Sequence, residues 1–169
     1  MSKKRIIIGC LVFLFTIIVI LLQLFFKWAN EPMNPEVPEK SEKGKVILAS
    51  RGCCYWAEDV TVYMLDENGN NTTLISAETV YEYDIFECTT IPKNNAPIKV
   101  GIDFLSFYPD AKPVSLIVGY FSSTDEMLKN GLLLRFGDGD LMVYNGNNKA
   151  FFRDGVFHKG DSDEWYQDE

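Results

Sequence analysis

The chain has 169 residues, 47% of them hydrophobic and 24% charged, with a formal net charge of −8. That length allows one ordinary domain, or a small domain with an accessory segment, and excludes large multidomain enzymes. Its single histidine, His158, rules out most histidine-rich metal sites and leaves little for a histidine-based catalytic set.

Residues 6–26, IIIGCLVFLFTIIVILLQLFF, carry no charge. Twenty-one residues at about 1.5 Å per residue span about 31 Å, the thickness of a bilayer's hydrocarbon core. Lys3, Lys4 and Arg5 precede the run, and only Lys27 follows before acidic residues take over. The positive-inside rule therefore predicts a single-pass signal anchor, with residues 1–5 cytoplasmic and the remainder exported to a periplasmic or extracellular space. A cleavable signal peptide fits less well, because its apolar run is shorter and ends at small residues, whereas Lys27-Trp28-Ala29 follows here. Cys10 loosely suggests a lipidation box, yet its apolar run comes after the cysteine rather than before it.

Residues 27–43 change character. Pro32, Pro35 and Pro38 recur at every third position among Glu31, Glu36, Glu39 and Glu42. Proline favours extended polyproline II, and no apolar stripe is present, so this stretch is expected to be a stalk. From Gly44 onwards ten Lys and Arg face twenty Asp and Glu, so the exported part carries −10. Nucleic acid is excluded as a partner by that sign.

Beyond Gly44 the apolar residues follow a period of two, which predicts strands. Lys45–Ala49 is short. Val60–Leu65 and Thr72–Ser76 flank an Asn68-Gly69 hairpin signal. Thr79–Cys88 alternates throughout. Ile98–Ser106 and Val114–Ser122 are longer and more apolar, as central strands are. Thr124–Gly131 is the one helical signal, with Thr124 as N-cap and acids in the first turn. Leu132–Phe136, Leu141–Asn145 and Lys149–Arg153 complete the pattern. The expected fold is a mainly-β domain over 44–160, an antiparallel sheet arranged as a sandwich or as α+β with one short helix, followed by an acidic tail at 161–169.

Three cysteines would be exported: Cys53, Cys54 and Cys88. An oxidising compartment permits a bridge from Cys88 to either vicinal cysteine, leaving one thiol over. No helix start or glycine-rich turn activates these thiols for a Cys–His dyad with His158, and no G-x-S-x-G elbow exists. Glu82 and Asp84 share a strand face as a solvated pair. Asp66-x-Asn68-x-Asn70 imitates the opening of a calcium loop but has Asn71 where glycine is required and Ala77 where the closing glutamate belongs. Asp138-Gly139-Asp140 offers hard oxygens within a turn. No catalytic, cofactor or metal residues are therefore assigned.

The tail sets Asp161, Asp163 and Glu164 before Trp165 and Tyr166. Aromatic anchors ringed by charge suit a protein-binding site. The sequence thus points to a membrane-anchored extracytoplasmic binding module without enzymatic chemistry, such as an immunity or inhibitor protein acting on an envelope-directed toxin or hydrolase. An accessory subunit of an envelope complex is the alternative, and a carboxylate-dependent hydrolase comes third.

Overall fold

The computed structural model describes residues 16–23, 25, 36–51, 57–106, 112–137, 140–153 and 156–160. The chain divides into two compact units, 1–36 and 37–169. In the first, residues 16–23 are helical (α1), and Ile18, Ile20, Leu21 and Leu22 are exposed. Among the described residues no helix is long and apolar enough to cross a membrane. Most of the 6–26 span expected to form the anchor lies outside them.

The second unit is mainly β. Its strands are β1 (Val46–Ser50), β2 (Ala57–Leu65), β3 (Asn71–Val80), β4 (Ile85–Cys88), β5 (Ile98–Ser106), β6 (Lys112–Phe121), β7 (Leu132–Gly137), β8 (Asp140–Asn145), β9 (Asn148–Arg153) and β10 (Val156–Lys159), with helix α2 (Thr124–Asn130) between β6 and β7. A six-stranded sheet runs β10-β9-β8-β7-β1-β4 and a four-stranded sheet runs β3-β2-β5-β6. Every pairing is antiparallel except β1 with β7. A parallel pair needs a long crossover, and the whole four-stranded sheet with α2 supplies it.

The two sheets share one core. Val60, Val62 and Met64 of β2 and Val100, Ile102 and Phe104 of β5 pack with Val46, Leu48, Leu134, Phe136 and Leu141. Phe104 meets Phe136 edge-on, with ring centroids 5.1 Å apart. Burying each such side chain is worth about 1.5–3 kcal/mol. A second apolar cluster of Val37, Ile47, Ala49, Leu133, Met142, Tyr144 and Phe151 covers the other face of the six-stranded sheet. All five residues of β1 are buried, as a strand between two cores requires.

Sequence and structure differ in four places. Thr79–Cys88 is not one strand. The chain leaves β3 after Val80, turns through 81–84, and re-enters as β4 in the other sheet. Asp84 makes the turn, its carboxylate accepting the Tyr81 N–H at 2.8 Å, while Tyr83 takes a φ of 63° and donates its N–H to the Ser50 carbonyl. Local hydrogen bonds of this kind compete with a continued strand.

The N-cap of α2 is Ser123, whose hydroxyl accepts the Glu126 N–H at 3.2 Å. Thr124 is buried instead, exchanging hydrogen bonds with the backbone of Asn94. Strand β10 is an added element that pairs with β9. Finally, residues 37–43, expected within the stalk, belong to the β unit. Val37 is buried in the second cluster, Ser41 accepts the Gly146 N–H at 2.8 Å, and Gly44 donates its N–H to Leu128.

That last attachment rests on Gly131, which ends α2 with φ at 72°. A Cβ there would lie 1.7 Å from the Glu42 carbonyl oxygen. Gly131→Ala is expected to cost more than about 2 kcal/mol in denaturant unfolding. Gly69→Ala, at φ 80° with nothing within 4 Å of the added carbon, should lose only the left-handed strain of about 1–2 kcal/mol. Equal losses would show that Glu42 is not packed against the helix end.

Candidate functional site

Of the expected site residues, Cys88 alone falls within the described part of the chain. Cys53 and Cys54 lie outside the described residues, as do Asp161, Asp163, Glu164, Trp165 and Tyr166. Cys88 is a half-buried free thiol whose Sγ lies 3.7 Å from the Thr90 carbonyl oxygen. Its register partner is Val46, at the end of β1 away from Ser50, a separation of about 13 Å along the strand.

His158 stacks on Phe151 with centroids 4.8 Å apart and planes at 17°. It lies on β10, while Cys88 lies on β4, at the opposite edge of the same sheet. Five strand spacings separate them by about 24 Å, too far for a Cys–His dyad.

Of the carboxylates singled out from the sequence, Asp138 lies outside the described residues, while Asp66, Asp84 and Asp140 serve the fold. Glu82 and Asp84 do not share a strand face, because both sit in the turn that Asp84 closes. Asp66 accepts the Asn70 side-chain amide at 2.7 Å and the backbone N–H groups of Asn70 and Asn68 at 2.8 and 2.9 Å. The Asn70 bonds, side chain first, hold its carboxyl below the usual carboxylate range. The hairpin therefore consumes the oxygens that a calcium loop would present.

Asp140 is 2% exposed and is held by Arg153, whose Nε donates to Oδ1 at 2.6 Å and whose second arm reaches Oδ2. That pair joins β8 to β9. Among the described residues no group of three or more His, Cys, Asp or Glu is arranged to hold a metal.

One polar cluster was not anticipated. Tyr63 donates its hydroxyl to Asp103 at 3.2 Å, and Ser115 donates to the same oxygen at 2.6 Å. Gly101 makes room, since a Cβ there would meet the Tyr63 ring at 2.4 Å. The cluster ties β2, β5 and β6 together across their outer face.

The surface feature that does stand out comes from the unequal widths of the sheets. On the six-stranded sheet, burial of the inward-facing side chains declines outward from β7. Leu132 and Leu134 are fully buried and Val143 nearly so, Ala150 and Phe152 are half-buried, and Phe157 is 39% exposed. Opposite them the four-stranded sheet stops at β6, whose outer side pairs with no strand among the described residues.

Between these flanks lies a cleft of about 750 Å³. Val118–Phe121 of β6 form one wall, Leu132, Val143 and Ala150 the floor, and Asn148, Lys149, Lys159 and Gly160 the mouth. Among the described residues lining it are two lysines and no acid.

Tyr120, 71% exposed, separates this cleft from a smaller one of about 320 Å³ that Leu65, Pro97 and Ile98 help line. Gly119 lets the Phe121 ring fold back across it, since a Cβ would meet that ring at 2.6 Å. The edge strand itself, KPVSLIVGYF, has one charged residue, Lys112, at its start. Long apolar edges usually carry inward charge to block pairing, and β6 has only Pro113 and an irregularity beside Gly101 to do so.

Comparison of the chain with protein-family models, with curated proteins and with solved structures finds no match.

Two substitutions test the structural roles given to the acids. Arg153→Ala leaves Asp140 buried and uncompensated, and unfolding should show a loss of about 3–5 kcal/mol. Replacing both partners, Asp140→Val with Arg153→Met, should recover most of it, because the pair is then exchanged for apolar packing.

Asp66 is depressed in the folded state, so its contribution is present above the ordinary carboxylate range and is lost as pH falls through the folded value. Asp66→Asn should therefore lower the denaturation midpoint at neutral pH and differ little from the parent near about pH 2. A constant difference across that range would remove Asp66 ionisation from the hairpin's stability.

Proposed function

We propose that this chain is a single-pass membrane protein whose β unit is held outside the cytoplasm and binds another protein along β6, without performing covalent chemistry. The observation that carries the reading is the ten-residue edge strand β6, whose outer side pairs with no strand among the described residues, beside a cleft with an apolar floor. Edge strands recognise extended polypeptide by adding it to the sheet, with backbone bonds giving affinity and side-chain pockets giving selectivity.

Support for the location comes from the uncharged 6–26 run, from Lys3, Lys4 and Arg5 before it, and from the exposed Ile18, Ile20, Leu21 and Leu22 on α1. A small tethered binder fits an immunity or inhibitor role against a toxin or hydrolase that works in the envelope. Exposed apolar residues on α1 equally suit helix pairing within an envelope complex, which keeps the accessory-subunit reading as the second.

Two measurements test this. A reporter active only outside the cytoplasm, fused after Glu169, should work, and a silent fusion alongside an active cytoplasmic reporter overturns the topology. A photo-reactive residue at Tyr120 in the full chain should give one discrete protein adduct in its native membrane. The same probe at exposed Glu78 on β3 should give none, and adducts of equal yield at both positions reject β6 as the contact.

A further inference from the structure

Resting on that reading, we propose that the partner contributes an acidic, extended segment that lies in the cleft as a fifth strand of the four-stranded sheet. The geometry supplies the position. Sheets of a sandwich stack about 10 Å apart, and a strand added beside β6 would lie over the inner face of β8 and β9. There its alternate side chains would meet Val118, Val143 and Ala150, while its backbone would complete the open edge of β6. The polar side chains between them would face away from the floor.

The charge selects the chemistry. The chain carries −8 overall, yet among the described residues the ionisable groups lining this cleft are Lys149 and Lys159. An acidic segment is attracted here and repelled by most of the remaining surface, so its association is steered to one place.

A second copy of the chain fits worse. Antiparallel pairing of β6 with its copy would bring Lys112 of one to the Phe121 end of the other, where Lys159 also lines the cleft. Like charges set close together across a strand pair are destabilising. The smaller cleft beside Leu65 has Asp66 and Glu67 on its rim and no open sheet edge facing it except the end of β6, so it does not select the same ligand.

The test uses the full chain in detergent micelles and a fluorescent ten-residue peptide alternating glutamate and valine, with a lysine–valine peptide as its counterpart. Anisotropy should show saturable binding of the acidic peptide, weakening as salt is raised, and at least tenfold weaker binding of the basic one. Lys159→Glu, at an exposed position, should lower the acidic peptide's affinity at least tenfold without moving the thermal midpoint.

Because only one edge of an added strand pairs with β6, N-methylation of one alternate set of peptide amides should abolish binding, and methylation of the other set should not. Equal loss from both sets, or from neither, overturns strand addition. Stronger binding of the basic peptide, or no effect of Lys159→Glu, overturns the acidic partner while leaving the Tyr120 adduct, and so the binding function, intact.

Two other occupants give distinct results. Deleting residues 161–169 should leave peptide affinity unchanged, and a tenfold gain would show that the chain's own acidic tail fills the cleft instead. Peptide affinity that falls as protein concentration rises would assign the cleft to a second copy.

Discussion

Val46–Ser50 run between β7 and the edge strand β4 of the six-stranded sheet with no side chain in contact with solvent, so both faces of that sheet have to be covered here. Five residues are too few to supply their own cover, and the chain responds in two ways. It builds a four-stranded sheet from β2, β3, β5 and β6 over Val46 and Leu48. It brings Val37, Tyr83 and Ile85 to the cluster around Ile47 and Ala49 on the other side. The chain first returns to β1 as antiparallel β4, then completes the second sheet with β5 and β6, and only after α2 does β7 pair in parallel with the other side of β1. Gly131 and Gly44 then fasten the entering chain to the end of α2.

The unequal strand count decides the surface. On one flank β3 and β4 lie together, and the core closes. On the other, β9 and β10 extend past β6, and the inward-facing side chains become steadily more exposed. Natural sheets shield such flanks with charge, proline or short strands. Here β10 is four residues long and ends in Lys159, whereas β6 is ten residues long with its charge confined to Lys112. The asymmetry separates an edge that is blunted from one that is open, and it places Lys149 and Lys159 beside the open edge.

Ionisable groups elsewhere act mainly as local fasteners. Asp66 and Asp84 close turns, Glu126 accepts from the backbone and hydroxyl of Ser122 at the start of α2, and Asp140 holds Arg153 between adjacent strands. Each bond is satisfied within a few residues or across one strand pair. These carboxylates are thus taken up by structural bonds. The acids that looked chemical in sequence are those whose short side chains best satisfy exposed backbone N–H groups.

Period-two patterning identified β1, β2, β5, β7, β8 and β9 to within a few residues, because side-chain alternation is a local consequence of the pleat. The Asn68-Gly69 hairpin was legible for the same reason: its turn conformation depends on the residues that make it. The break after Val80 was not, since Tyr81 and Tyr83 continue the alternation, and the Asp84 turn is fixed in place by bonds to Ser50, distant in sequence. Strand β10 escaped notice although Asp154-Gly155 is a hairpin signal, because four residues with one charge carry too little pattern. The apolar run at 6–26, the mainly-β class and the acid content are properties of composition and local order, and the sequence determined them unaided. Which strands become edges, how far one sheet overhangs the other and which charges meet in the cleft depend on pairings between residues far apart in the chain, and only the tertiary structure decided those.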